Sequence, residues 1–228
     1  MSPIAYRVAT LTDYSDGVES LLKEHMFRRD AHGETVLAAL GIDTADEEVW
    51  EPSARFFKEV LSKEASVVAV DGSNGSIVGV VIAEVMDREE FKRADNQAAS
   101  LTYENPSIAR YFDYIKALKS RFDQSAFVDQ RQFESILAVH WLVVHSDYRQ
   151  RGIASGMNAK ALEVGRARGC DVALVSGSAT GSQRCFERLG FQETYSIDYT
   201  ELTDKHGTQI VRPLNGSTCC KFYALPLC

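Results

Sequence analysis

A chain of 228 residues, 45% hydrophobic and 25% charged, is long enough for one well-packed domain and marginal for two. Its net charge of −7 disfavours nucleic acid and anionic membrane as partners, and no stretch approaches the roughly 18 uninterrupted apolar residues of a membrane helix. Five cysteines, an odd number without metal-site spacing, argue against both a disulfide framework and a metal centre, and "MSPIAYRVAT" carries no apolar signal segment, so a cytoplasmic protein with reduced cysteines is expected. In chain order, a short strand at 6–10 precedes a helix over about 13–29, with Thr12 or Asp13 as its cap. A second helical patch covers 34–40 and stops at Gly41. A third helix, 47–62, places Val49, Trp50, Phe56, Phe57, Val60 and Leu61 largely on one face. "SVVAV" and "SIVGVVIAEV" flank "DGSNG", which is hairpin chemistry. Residues 87–132 are polar apart from one helix near 108–122. The pattern then alternates: strand 136–144, helix 153–168, strand 172–175, helix 181–189, and strands at 191–199 and 218–225. Adjacent Cys219 and Cys220 point to opposite faces of that last strand, so at most one enters the core.

The chemistry concentrates in "HSDYRQRGIASGMNAKALEVGRARG", residues 145–169. It lies between an apolar strand, "ILAVHWLVV", and a helix with Ile153, Met157, Ala161 and Val164 on one face. A strand, a glycine turn and a helix N-terminus present unpaired amide N–H groups and the positive end of a dipole, which is what a phosphate requires. Gly152 lets backbone approach the anion, Ala154 is small for the same reason, and Arg149 and Arg151 add charge-assisted hydrogen bonds. No Gly-Lys-Ser/Thr ending occurs, so this is not a P-loop, and the glycine spacing does not fit a dinucleotide fingerprint.

Arg149-Gln150-Arg151-Gly152-Ile153-Ala154, with Ser155 behind it, resembles the pyrophosphate signature of the GNAT superfamily of N-acetyltransferases. Leu189-Gly190-Phe191 resembles that family's second landmark at the correct distance. The resemblance implies an α/β fold: one domain over 1–228, a mixed central sheet of about seven strands flanked by helices, and a strand splayed at the cofactor site. It further implies acetyl-CoA as co-substrate and no metal. Backbone groups of Leu142, Val143 and Val144 would hold the pantetheine arm. The cofactor core would span 135–200, with acceptor-side elements at 13–62 and 87–132.

"HMFRRDAHGETVLAALGI" (25–42) resembles the invertebrate arylalkylamine N-acetyltransferases. Aligned on Leu40-Gly41, Glu34 falls on their catalytic glutamate; aligned on Phe27, Asp30 or His32 does instead. A base is needed, because an alkylammonium of pKa near ~10 must lose a proton before it attacks a thioester. His140, read on an alternating strand with Ala138 and Leu142, matches a strand histidine of the vertebrate branch and could relay that proton. A tyrosine that many family members carry before Leu-Gly-Phe is replaced by Phe186. Ser178 and Ser182 match serines of the invertebrate branch, and Ser182 or Thr180 could equally cap the next helix. Cys185 has no readable histidine partner and is a poor nucleophile. Tyr103, Tyr111, Phe112, Tyr114, Phe122 and Phe127 could line an aryl site or pack on the sheet.

The expectation is therefore a monomeric enzyme transferring acetyl from acetyl-CoA to a small arylalkylamine such as dopamine, serotonin, tyramine or octopamine. Acetylation of polyamines or agmatine, and a non-catalytic acyl-CoA-binding protein, remain as alternatives.

Overall fold

The computed structural model describes residues 3–25, 29–30, 33–42, 45–101, 104–204, 206–212, 214 and 216–228, with the backbone alone given for 29–30 and 33–34. Its central sheet has seven strands in the order β1 (Ile4–Val8), β4 (Val67–Asp71), β5 (Ile77–Asp87), β6 (Ser135–Val144), β7 (Val172–Gly177), β9 (Cys219–Pro226), β8 (Gln192–Asp198). All neighbours are antiparallel except β6 and β7. A separate ribbon pairs β2 (Arg29–Asp30) with β3 (Gly33–Glu34). The connection between β6 and β7 runs through a helix, as a parallel pair requires.

The sheet is covered on both faces. α7 (Ile153–Ala167) lays Ile153, Met157 and Ala161 on one face, against Val81, Ala83, Leu137 and Val139. Gly165 allows this approach, since a Cβ there would meet Leu137 at 2.9 Å. α8 (Thr180–Arg188) shares that face through Phe186, which packs on Phe191 and Tyr223. On the other face lie α1 (Glu19–His25), the short α2 (Val36–Ala39), α3 (Glu47–Ser62) and α5 (Pro106–Arg121), over Val68, Val80, Ile82 and Phe222. α4 (Arg88–Ser100) and α6 (Gln124–Arg131) close its far end, against Met86, Ile136 and Ala138.

Several expectations are corrected. The helix expected at 13–29 is broken: Tyr14–Val18 forms a wide π-type turn, and α1 is only Glu19–His25. Asp13 does not cap it, because its carboxylate is held by Arg7 and by the Thr10 amide and hydroxyl. The helix expected from 34 begins at Val36 with Thr35 as cap, leaving Glu34 on the ribbon. The polar stretch 87–132 contains three helices rather than one; the caps Asp87, Asn105 and Asp123 start them. Cys220 is buried and Cys219 partly exposed, and all five cysteines are free. Among the described residues no helix is long and apolar enough to cross a membrane.

Candidate active site

β6 decides the site. Its register with β5 runs from Asp87↔Ser135 to Ala83↔Val139, then resumes at Ile82↔Trp141, so His140 is an extra, unpaired residue. Such a bulge inverts the facing of everything beyond it. His140 keeps the face of Ala138 and reaches Glu84, but Leu142 turns to the opposite face and packs with the α7 cluster. The expectation that His140 and Leu142 share a face is therefore wrong, and the inserted residue is the reason.

The same bulge opens the sheet. β6 and β7 pair only from Ile136↔Val172 to Val139↔Val175, while both strands continue. Beyond Val139 no strand among the described residues pairs with that edge of β6. The His145 amide donates to the Val78 carbonyl at 2.9 Å, so alternation turns the backbone groups of Val143 toward β5 and those of Leu142 and Val144 into the gap. Ser178 follows directly on β7 across that gap, and its carbonyl accepts from the buried Tyr199 hydroxyl at 2.5 Å. Ser182 lies in the first turn of α8; its hydroxyl donates to the Ala179 carbonyl at 2.8 Å and accepts from the Ala179 amide. The residue at the start of that helix is Ala179, so Ser182 serves the cap from inside.

At the end of β6 the chain makes a 3-10 turn, Ser146–Tyr148, and enters α7 through Gln150 at φ 61° and Gly152 at φ 77°. Both are left-handed, a conformation that glycine accepts without cost and that suits Gly152. No side chain caps α7, so the first-turn amides of Ile153, Ala154 and Ser155 are presented for an anion. Arg149 Nε bonds the Val144 carbonyl, and Arg151 bonds the Asp147 carbonyl and lies over the Tyr148 ring at 4.9 Å. The Tyr148 hydroxyl donates to Asp71 at 2.7 Å and fastens the turn to the β4–β5 hairpin.

Beside His140 stands a charged group that the sequence reading missed. Glu84 is buried on β5; its Oε1 is 2.8 Å from His140 Nε2, and its Oε2 accepts from Lys63 Nζ. Lys63, at the C-terminus of α3, also bonds Glu90 in the first turn of α4 at 2.7 Å. Burial alone would raise the Glu84 carboxyl, but the hydrogen bonds and charges of His140 and Lys63 outweigh it and hold it below the usual range. Desolvation opposes the Lys63 charge, yet its two carboxylates push that ammonium up to about 12. The available signal was one carboxylate inside the apolar run "VVIAEVM". Phe56, expected in the core, is instead 36% exposed with its ring edge-on to His140 at 5.4 Å.

The aromatics of 87–132 are mostly committed elsewhere. Tyr114 is buried, Phe122 stacks on Tyr195 at 5.1 Å, and Phe127 packs against Phe133. Asp30 and Glu34 lie on the two strands of the ribbon; His32 and Tyr103 fall outside the described residues. Burial pushes the Cys185 thiol up, which suits packing rather than nucleophilic work.

A family model described as the acetyltransferase (GNAT) family matches residues 41–191. This chain belongs to the GNAT acetyltransferases. Its activity is acetyl-CoA-dependent N-acetyl transfer to an amine. Among solved structures it is similar to the Drosophila melanogaster polyamine N-acetyltransferase that forms N-acetylagmatine, at 21% identity, covering 98% of this chain and 100% of that one, TM-score 0.78. It is also similar to arylalkylamine N-acetyltransferase 2 of Aedes aegypti, at 20% identity, 99% coverage of each chain and TM-score 0.79. In this GNAT chain the gap between β6 and β7 and the uncapped α7 fit acetyl-CoA. The free edge at Leu142 and Val144 would take the pantetheine amides, and the turn from Arg149 to Ser155 the pyrophosphate.

Proposed function

We propose that this enzyme acetylates a small arylalkylamine, such as dopamine, serotonin, tyramine or octopamine, in a ternary complex with acetyl-CoA. The structural neighbours include both arylalkylamine and agmatine enzymes at equal similarity, so the site must choose between them. The observation that carries the reading is the setting of His140: an exposed aromatic edge, Phe56, stands beside it, and its carboxylate neighbour Glu84 is buried with both oxygens already engaged, by Lys63 and by His140 itself. Three further carboxylates that could take a distal cation, Asp113, Asp123 and Asp129, are paired with Lys116, Lys119 and Lys92. A guanidinium or second ammonium would have to displace a lysine. An aryl ring needs only apolar surface.

In this reading the amine loses a proton to Glu34, with Asp30 as the competing ribbon carboxylate and His140 in the relay. Its nitrogen attacks the acetyl carbonyl, the C–S bond breaks, and the thiolate leaves with the electron pair and takes up a proton. Ser178 steadies the thioester end by hydrogen bonding, and Ser182 can join it by turning its hydroxyl from the Ala179 carbonyl. We take it to act as a cytoplasmic monomer; the net charge of −7 supports the absence of nucleic acid and anionic membrane as partners.

The test is a thiol-release assay over an amine panel. Burying an aryl ring removes on the order of 100 Å² from water, worth roughly 2–3 kcal/mol at about 25 cal/mol per Å². Phenylethylamine-type substrates should therefore exceed agmatine, putrescine and spermidine by at least ~10-fold in kcat/KM. Agmatine or spermidine winning would overturn the aryl assignment. In the same assay Glu34→Ala should lower kcat about 100-fold, the scale of a lost general base.

A further inference from the structure

We propose that Glu84 is a positioning residue for His140, holding its ring in the tautomer that leaves Nδ1 as proton acceptor at the mouth of the opened strands. The inference rests on the relay reading of His140. Its geometry is a chain of two contacts, Lys63 to Glu84 to His140, with the edge of Phe56 against the imidazole. An ionised carboxylate can only accept, so the 2.8 Å contact requires the hydrogen on Nε2, and in the neutral ring this leaves the lone pair on Nδ1.

Charge explains why the arrangement is a device rather than a simple ion pair. Glu84 and Glu90 carry two negative charges and Lys63 one positive, which leaves the cluster one negative charge. A proton arriving on His140 completes its neutrality. Lys63 meanwhile helps to keep Glu84 ionised, so the carboxylate goes on accepting from Nε2. The ring is 28% exposed and can hand the proton to solvent, while the Glu84 side chain is 4% exposed and cannot. Packing alone gives no reason for a carboxylate here, since a buried charge on an apolar strand costs stability unless its partners compensate. The bulge completes the case: it is the one place where β6 gains a residue, it sets His140 at the first position beyond the last β6–β7 pair, and β5 supplies the carboxylate from Glu84, which pairs with Ala138.

The experiment is a kinetic double-mutant cycle of Glu84→Gln and His140→Gln at saturating acetyl-CoA, using whichever amine of the panel turns over fastest. The choice of amine keeps a failure of the arylalkylamine reading separate from a failure of this one. Glu84→Gln should lower kcat by at least ~10-fold, the low end for a lost acid–base partner, with KM for acetyl-CoA changed less than ~2-fold. The double variant should be no slower than His140→Gln alone, since without the ring the carboxylate has nothing to hold. The proposal is overturned by a Glu84→Gln kcat within twofold of wild type, by a His140→Gln variant of normal kcat, or by losses that multiply in the double variant. If Glu84→Gln does not fold, the same cycle is run in a Lys63→Met background, where no ammonium is left facing the neutral amide, and the same outcomes decide.

Discussion

Gly152 and Glu84 carry the proposed cofactor and relay roles, and they differ in how openly the sequence shows them. Gly152 is legible because its role is local: a left-handed φ of 77° at the head of an uncapped helix. A Cβ there meets nothing within 4 Å, so any penalty comes from backbone strain and from crowding the incoming diphosphate, not from a clash with the protein. Gly152→Val should weaken acetyl-CoA binding about 30-fold, the loss expected when two charge-assisted bonds no longer form, while the melting profile keeps its shape. Calorimetry giving near-normal affinity would remove the pyrophosphate assignment. Glu84 was not legible because its meaning comes from Lys63, 21 positions earlier, and His140, 56 positions later. Phe56 shows the same limit. Helical periodicity assigns it to the core, and only the packed α3 shows its neighbour Phe57 buried in its place.

Among the elements, β6 shows how one inserted residue changes several roles. Hydrophobicity marks 136–144 as a strand, yet periodicity is blind to a bulge inside a uniformly apolar run, because both facings look alike. The consequence can be measured amide by amide. Val143 N–H is satisfied by β5 whether or not cofactor is bound, whereas those of Leu142 and Val144 face the gap. Saturating acetyl-CoA should therefore slow hydrogen exchange at Leu142 and Val144 by at least ~10-fold and leave Val143 unchanged. Equal protection of all three would place the pantetheine arm elsewhere. The helices of 87–132 escaped notice for a related reason. Their faces are weakly apolar, and they are started by the caps Asp87, Asn105 and Asp123 rather than by a hydrophobic stripe.

At the scale of the whole molecule, stability against acid is tied to the edge of the sheet. Arg7 on β1 makes two hydrogen bonds to Asp13, at 2.7 and 2.6 Å, and Thr10 adds two more. The Arg7 guanidinium does most to hold the Asp13 carboxyl down at about 2. Because the folded value lies below the unfolded one, this stabilisation is complete above about pH 4 and disappears as pH falls toward 2. Solvent around the half-exposed Arg7 limits it to about 1–2 kcal/mol. Asp13→Asn should be less stable by that amount at neutral pH, and urea titrations should show the gap to wild type closing between about pH 4 and pH 2. A gap independent of pH would assign the loss to packing. What the sequence determined alone is what depends on near neighbours: the seven strands of the sheet, the helices α3, α5, α7 and α8, a glycine turn at a helix N-terminus, the family signature and the free cysteines. The β6 bulge, the gap beside it and the Lys63–Glu84–His140 chain depend on register and on contacts between distant segments. Those are fixed only when the sheet closes, because a hydrogen bond between strands constrains residues that the sequence keeps far apart.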